Sequence, residues 1–246
     1  MTDRVIIVGV GGIGTFLSEG IVRMLEYKNP GSMLILVDGD HFEPKNQERQ
    51  TFKDLGNKAE VKAAEMTPYF KETFIAPLPL WIVEDGKDVN DEQFITAENL
   101  LEEGDVVFAV VDNFAARKLL FDAARNYDNI DIFTGGNDEE LFTSVYHYQR
   151  RDGADVTDHP TEYHEQLIDP PDRNPGTMSC QEKAELEGGV QLIASNMAVA
   201  SMLLGRYHHT IISGNDPRPA AEIMFDLGAG LANAYDRTPD EVSVSV

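Results

Sequence analysis

Cysteine is nearly absent from this chain, which has one such residue among 246. A single thiol cannot form a disulfide within the chain, and it cannot supply the several thiolates of a Cys-rich zinc site. The sequence therefore excludes a fold held together by internal disulfides, and it predicts that the protein binds no zinc.

Positive charge is also scarce. The chain has 20 Lys and Arg residues against 43 Asp and Glu residues, which gives a formal net charge of −23 at pH 7. A negative protein of this kind repels the phosphate backbone of DNA and RNA. We therefore expect no nucleic-acid partner.

Long apolar runs are missing as well. No run approaches the ~20 apolar residues that a membrane-spanning helix needs, and the N-terminal residues lack the pattern of a secretory signal. We expect no membrane partner and a cytoplasmic location. The hydrophobic content of 42% is nevertheless high enough for a packed core.

Strands and helices are predicted to alternate along most of the chain. Apolar, β-branched runs predict strands at 4–8, 33–37, 74–77, 105–111, 131–134, 141–148 and 221–227. Apolar residues at helical spacing predict helices at 16–25, 57–69, 115–127 and 190–207. This alternation is typical of an α/β fold with a Rossmann-like, doubly wound and mostly parallel sheet. We expect one domain over 1–246, in which residues 151–179, rich in Asp, Pro and His, form a long loop excursion before the last helix.

A glycine-rich turn follows the first predicted strand, with glycines at Gly9, Gly11, Gly12 and Gly14. Residues without a Cβ allow a sharp turn and a close approach to a ligand, and the N-terminus of the next helix offers N–H groups to a phosphate. Asp38 ends the second predicted strand, where a carboxylate can accept hydrogen bonds from a ribose. The turn could serve only tight packing, but its combination with Asp38 favours nucleotide binding.

Further sequence blocks follow this turn in order. They are Asp-x-Asp at 38–40, Asn-x-x-Arg-Gln at 46–50, Gly-Asn-Lys-Ala at 56–59 and Asp-Asn followed by Arg at 112–117. With these blocks the chain resembles the ThiF/MoeB-like adenylyltransferase family, part of the ubiquitin-activating-enzyme superfamily, in its compact stand-alone form. The segment 179–188 also resembles the family's approach to its last long helix.

The resemblance implies ATP and Mg²⁺ as cofactors. It also implies an ATP-dependent adenylyltransferase that activates the C-terminal carboxylate of a small ubiquitin-like or sulfur-carrier-like protein, or of a peptide. In the family, the counterparts of Arg49 and Lys58 bind the triphosphate, and Asp40, Asn46 and Gln50 also match nucleotide-site positions. Arg and Lys suit that charge, although both could be ordinary solvated residues, and Asn46 could equally form a turn.

Two further residues have open roles. Asp112 ends the strongest apolar strand, where a carboxylate suits Mg²⁺, and the resemblance gives it that role. Its alternative is the N-cap of the helix predicted from Ala115. Cys180 matches a position used for sulfur-linked intermediates in some relatives, so it could receive the acyl group, or it could be an inert small side chain.

The chain also departs from the family. The paired C-x-x-C motifs that hold zinc in many relatives are absent. Relatives carry an N-terminal arm whose arginine reaches the neighbouring subunit's ATP, whereas the first strand here starts near Arg4, which we expect to be a poor substitute. Three alternatives then stay open: Arg150, Arg151 or Arg173 completes the site, another protein completes it, or nothing does. The resemblance also predicts a homodimer, packed in part through helix 190–207.

Two other functions remain open. An NAD-dependent oxidoreductase would share the glycine turn and Asp38, but it gives no reason for Arg49, Lys58 and Asp112 together. A non-catalytic nucleotide-binding half of a heterodimer would bind ATP without turnover.

Two histidines lie among acidic residues in the predicted excursion, His159 and His164. A metal site could be imagined there. Their spacing fits no helical pair of ligands, however, and we expect both to be solvated loop residues.

Overall fold

The structure is a computed structural model that describes residues 3–47, 50–84, 93–137, 141–172 and 192–239. Its strands are β1 (Arg4–Val8), β2 (Met33–Val37), β3 (His41–Phe42), β4 (Gly56–Asn57), β5 (Phe74–Leu78), β6 (Trp81–Val83), β7 (Phe94–Thr96), β8 (Val106–Ala109), β9 (Ile130–Asn137), β10 (Phe142–Arg151), β11 (Ala154–Asp155), β12 (Glu222–Asp226) and β13 (Leu231–Tyr235). Its α-helices are α1 (Gly14–Lys28), α2 (Lys58–Met66), α3 (Ala97–Leu100), α4 (Phe114–Ala124), α5 (Glu165–Ile168) and α6 (Ile193–Tyr207).

One large sheet contains nine of these strands. Eight of them lie in the order β13-β12-β10-β9-β8-β1-β2-β5, and β11 pairs with β10. Five neighbouring strands, β9, β8, β1, β2 and β5, are parallel to one another. Beyond β9, strands β10, β12 and β13 continue the sheet with antiparallel pairing. The predicted α/β, Rossmann-like fold with a mostly parallel central sheet is confirmed.

Side chains alternate between the two faces of the sheet, because successive Cβ atoms of a strand point in opposite directions. In β1, Val5 and Ile7 belong to one hydrophobic cluster, which α1, α2 and α6 cover. Ile6 and Val8 belong to the second cluster, which α3, α4 and α5 cover. An apolar run without polar alternation is thus explained by burial on both faces.

Local signals fix where two of the helices begin. The side chain of Asn57 accepts hydrogen bonds from the N–H groups of Ala59 and Glu60 and so caps α2. Asn113 caps α4 in the same way, accepting from the N–H of Ala116. Both are N-cap residues of the preferred type, and both helices therefore start next to the carboxyl end of the sheet.

The structure contains elements that the sequence patterns did not indicate. Strand β7 and helix α3 lie within the acidic region 84–103, and β6 pairs in parallel with β7. Strand β13 is exposed along its whole length, so no apolar pattern marked it. The described part of the predicted excursion, residues 151–172, contains β11, a short 3₁₀ turn and α5.

The expectation that His159 is a solvated loop residue is wrong, whereas the side chain of His164 is 29% exposed. His159 is 3% exposed, and its ring packs edge-on against Phe121 and Tyr148. His164 lies 3.0 Å from the buried carboxylate of Glu222. Within the described ranges, no group of three or more His, Cys, Asp or Glu side chains is arranged to hold a metal ion. No helix in these ranges is long and apolar enough to cross a lipid bilayer.

Candidate active site

The candidate site lies where the carboxyl ends of β1, β2 and β8 meet. From β1 the chain passes to β2 on one side, while β8 lies on the other side of β1. Ligands of doubly wound sheets bind outside the carboxyl ends of the strands at such a reversal of strand order. The residues that follow these three strands are therefore the candidates for binding and chemistry.

The turn after β1 requires two of its glycines for steric reasons. Gly9 has a φ of +96°, and a Cβ built there would lie 2.8 Å from the Val111 amide nitrogen, in the segment that leaves β8. A Cβ on Gly14 would lie 1.9 Å from the Gly9 carbonyl oxygen. These residues therefore bring the turn against the end of β8, as the packing interpretation of the motif requires.

The other two glycines of the turn have backbone N–H groups that are available to a ligand. Gly11 and Gly12 lie in the turn before α1, and their N–H groups have no acceptor among the described residues. The N-cap of α1, Ile13, makes no side-chain bond to the helix. Gln50 is 7% exposed, and its Nε2 would lie 3.7 Å from a Cβ on Gly11. Its buried Oε1 has no partner in the described part of the chain. This arrangement can present N–H groups to an anion.

Asp38 connects the end of β2 to this turn. One carboxylate oxygen accepts a 2.7 Å hydrogen bond from the Val10 N–H, and the other accepts from the Asp40 N–H at 2.9 Å. Burial raises the pKa of Asp38, although the nearby Lys58 and both N–H groups act to lower it. The carboxylate has lone pairs to spare for ribose hydroxyls.

Lys58 is the first residue of α2 and is 7% exposed. Its ammonium group donates to the Asp40 carboxylate. Burial alone would lower the pKa of Lys58, but Asp38, Asp40 and Asp112 together raise it. Lys58 is therefore a buried lysine that Asp40 holds at this edge, with Asp38 and Asp112 nearby favouring its charged form.

Asn57 connects the start of α2 to the segment that contains Asp38 and Asp40. Besides capping α2, its Nδ2 donates to the backbone carbonyls of Asp38 at 2.7 Å and Asp40 at 3.1 Å. Asn57 belongs to the Gly-Asn-Lys-Ala block at 56–59, but the resemblance assigned it no role. An Asn directly before a helix signals the cap, but the bonds to the Asp38 segment span 17 to 19 positions and have no local sequence signal.

Asp112 is exposed just after β8, and the alternative that it caps α4 is wrong. Asn113 is the N-cap, and Asp172 accepts from the next two N–H groups, of Phe114 and Ala115. Among the described residues, no group hydrogen-bonds to the Asp112 carboxylate, which leaves it available to a ligand. It still influences Lys58 and Arg117, since it acts to raise the pKa of both.

Arg117, one turn further along α4, had no assigned role in the motif. Its Nε donates to the Val111 carbonyl at 2.7 Å, and one terminal nitrogen donates to the Gly135 carbonyl at 3.0 Å. Burial lowers the pKa of Arg117, whereas Asp112 and Asp172 act to raise it. The guanidinium is thus held between β8 and β9 by neutral carbonyl groups.

The remaining predicted site residues differ in how far the structure places them. Asn46 is buried, and its Oδ1 accepts from the Glu43 N–H at 3.1 Å, so it does form a turn; contact with a phosphate stays a prediction. Arg49 and Cys180 lie outside the described residues, as does Arg173.

Two arginines that were expected to complete the site are at the wrong edge of the sheet. Because β10 is antiparallel to β9, Arg150 is paired with Ile130, the first residue of β9. Arg150 binds Asp155 and Arg151 binds Asp131 there. Neither residue therefore reaches the candidate site of its own chain. Arg4 also lies at this amino edge and pairs with Glu102, so it is no substitute for the family's arginine.

Comparisons with known proteins identify the family and the fold. The profile described as the ThiF family matches residues 1–221, whereas no curated protein sequence matches this chain. E. coli MccB in complex with AMPCPP and MccA is similar in structure, with 16% identity and a TM-score of 0.65 over 98% of this chain and 65% of that chain. MccB with N-formylated MccA gives 19% identity and a TM-score of 0.66 over 98% and 66%. PaaA gives 17% identity and a TM-score of 0.64 over 97% and 65%. The chain therefore spans about two thirds of the length of these structures, and they share its fold.

Proposed function

This chain belongs to the ThiF family, and we propose from this premise that it is an ATP-dependent adenylyltransferase. Its substrate would be the C-terminal carboxylate of a peptide or a small carrier protein. MccB, in structures bound to ATP and to MccA, has the same fold. That likeness supports a peptide acceptor in particular.

The observation that carries the proposal is the position of Lys58. A buried ammonium lies at the carboxyl edge of the sheet and donates to the Asp40 carboxylate. The Asp38 carboxylate links this segment to the glycine turn, because it accepts from the N–H groups of both Asp40 and Val10. A triphosphate needs both N–H donors and a positive charge. An NAD-dependent oxidoreductase would explain the glycine turn and Asp38, but not a buried lysine that Asp40 holds at the same edge.

The reaction joins AMP to the acceptor. A carboxylate oxygen attacks the α-phosphorus of ATP and forms a new P–O bond, while the bond to the bridging oxygen breaks and pyrophosphate leaves with the electron pair. Negative charge grows on the leaving group, so catalysis depends on positioning and on cations. We assign charge neutralisation to Lys58 and, by family resemblance, to Arg49. Asp38 would hold the ribose, with Asp40 fixing Lys58.

Asp112 fits a magnesium ion that ATP brings with it. Mg²⁺ at such sites takes one or two carboxylates together with substrate phosphates, and Asp112 is exposed at this edge. When bound, the ion would neutralise phosphate charge. The chain's own contribution is one carboxylate, placed after β8 and free of the capping role that Asn113 fills.

We also propose a second step, carried out by Cys180. Its thiolate would attack the acyl carbon of the adenylate, a thioester would form, and AMP would leave. Intact-protein mass spectrometry with ATP and an acceptor tests this step. An adduct that hydroxylamine removes is expected for the wild type and not for Cys180→Ser, whereas an adduct on the variant would contradict the transfer.

Two measurements test the main proposal. Calorimetric titration should show that ATP·Mg²⁺ binds far more tightly than NAD, and comparable affinities would overturn the assignment. ATP–pyrophosphate exchange should then appear when an acceptor is added. ATP binding without exchange for any acceptor would favour the non-catalytic partner of a heterodimer instead.

A further inference from the structure

A cavity lies beside the candidate site, on the face of the sheet that α4 and α5 cover. Its volume is about 320 Å³, at the lower end of the range of small-molecule pockets. Phe114 and Arg117, from the first turn of α4, line its side nearest to Asp112. The inference drawn from it rests on the proposed adenylation of a carboxylate.

The floor of the cavity is formed by residues paired across strands β9, β10 and β12. Gly136 of β9 pairs with Ser144 of β10, and Ser144 pairs with Met224 of β12. Neighbours in such a row point to the same face, and two of the three have little or no side chain. The next row, which contains Tyr146 and Glu222, is larger and closes the floor on one side.

The two long sides of the cavity differ in charge. On one side Arg117 donates only to backbone carbonyls, and within the described residues it forms no ion pair. On the other side the Glu222 carboxylate is 1% exposed, forms an ion pair with Arg237 at 2.6 Å and lies 3.0 Å from His164. Arg117 can therefore attract a further anion, whereas Glu222 is already compensated.

We propose that this cavity receives the side chain of the acceptor's last residue, and that this side chain is uncharged. The acceptor's carboxylate would lie between Arg117 and the nucleotide. Its terminal side chain would descend onto Ser144 and Met224, beside the Arg117 guanidinium, whose terminal nitrogens lie 3.6 Å from a Cβ built on Gly136. A terminal glycine would leave the cavity unfilled. The acceptor is thus a peptide that ends in a residue with a side chain, rather than a protein that ends in glycine.

Charge selects the class of side chain. The reacting carboxylate occupies Arg117, so an acidic side chain would gain no second cation and would approach Glu222. A basic side chain would bring a further positive charge next to the buried Arg117. An uncharged side chain meets neither cost, and Phe114, Leu167 and Met224 offer it apolar contacts.

The test measures binding rather than turnover. Synthetic hexapeptide pools, randomised at the first five positions and fixed at the last, are captured on the immobilised full chain and quantified by mass spectrometry. Pools that end in Ser, Gln, Leu or Phe are compared with pools that end in Gly, Lys or Asp. We expect about tenfold greater retention of at least one uncharged pool over the Gly pool, since burial of a side chain contributes on that scale.

Variants of the cavity floor provide the control. Ser144→Leu fills the cavity and should abolish the preference, whereas Ser144→Ala should retain it. Ser144→Val replaces the leucine variant if circular dichroism shows that the latter is not folded. Equal retention of all pools, strongest retention of the Gly, Lys or Asp pool, or an unchanged preference in the filled variant would overturn the inference. A preference without ATP–pyrophosphate exchange would instead contradict the proposed adenylation and leave the cavity assignment in place.

Discussion

At the scale of single residues, α2 shows how one helix can place two buried lysines in different roles. Lys58 begins the helix and reaches Asp40 at the sheet edge. Lys62, one turn later, donates to Glu65 and to the Thr51 carbonyl and lies over the ring of Phe52. Only Lys58 is among the acidic residues of the strand ends. Substitutions of the two lysines can therefore be compared to separate an effect on the candidate site from an effect on the stability of α2.

We predict that Lys58→Met weakens ATP·Mg²⁺ binding by about ten- to a hundredfold, because a charge-assisted contact with a phosphate is lost. Isothermal titration calorimetry measures the change. Lys62→Met is the matched control, since it should lower the melting temperature while leaving the affinity for ATP close to that of the wild type. Similar loss of affinity in both variants would show that the effect comes from the stability of α2 and not from the site.

The neighbours Asp112 and Asn113 form a second matched pair. We expect Asp112→Ala to reduce adenylate formation by ~10²–10³, the usual effect of removing one electrostatic contact to the transition state, without a loss of stability. Asn113→Ala should instead cost about 1 kcal/mol of stability, because it removes the α4 cap, and should largely retain the rate. Exchange kinetics and thermal melts of both variants check this. A loss of stability without a loss of rate in Asp112→Ala, or a loss of rate in Asn113→Ala, would contradict it.

The sequence allowed some of these residues to be found and hid others. Gly9, Asp38, Lys58 and Asp112 stand directly after strands or before a helix, so a motif and its place in the fold are enough to predict them. Arg117 is different: it contacts the carbonyls of Val111 and Gly135, which come from two other segments. Such tertiary contacts leave no periodic signal in a single sequence.

At the scale of elements, the accuracy of the predictions followed burial. The core strands β1 and β2 occur at the predicted positions, and β8 lies within the predicted range, because strands buried on both faces are continuous apolar runs. Strand β13 is exposed throughout, so its composition carried no such signal. The pair β6 and β7 is different, because its residues are buried or half-buried. Each strand has only three residues, which is too short to show a periodic pattern in the sequence.

The connection from α3 to β8 contains an acidic residue whose pKa should affect stability. Asp105 is 1% exposed; burial raises its pKa from 3.8 to about 6, although the Glu102 N–H and Arg4 act to lower it. Between about pH 4 and pH 6 the folded protein thus holds a proton that the unfolded chain has released. The contribution of Asp105 to stability therefore falls as the pH rises through this interval.

We predict that Asp105→Asn removes this contribution. The melting temperature of the variant relative to the wild type should rise as the pH increases from 4 to 7, as measured by circular dichroism at several pH values. Asp122→Asn removes an exposed carboxylate on α4 and serves as the control for the loss of one charge. A difference for Asp105→Asn that stays constant or falls over this range would contradict the raised pKa.

At the scale of the whole molecule, the two edges of the sheet have separate roles. The carboxyl edge carries the glycine turn, Lys58 and Asp112, whereas the amino edge carries ion pairs such as Arg4 with Glu102 and Arg151 with Asp131. The net charge of −23 makes a cation at the carboxyl edge especially informative. The arginines of the amino edge therefore do not reach the candidate site of their own chain.

The last prediction concerns assembly through α6. Its inner face is core, with Val199 and Leu203 fully buried. On its outer side Ile193 is 45% exposed and Met197 is 51% exposed, and residues four apart lie on one face of a helix. Exposed apolar residues that are adjacent in this way are typical of an interface. We expect this face to pack against a second copy of the chain.

Light scattering at micromolar concentration should then give twice the chain mass of 27.3 kDa. Met197→Glu should reduce this mass to that of one chain while the fold is retained, because a charge in the centre of the contact would have to lose its water. Tyr27→Glu, which changes the 78% exposed Tyr27 of α1, is the control and should leave the dimer intact. A wild-type mass near 27.3 kDa would show a monomer and contradict the predicted homodimer. The candidate site would then have to be completed by residues of this chain or by a different protein.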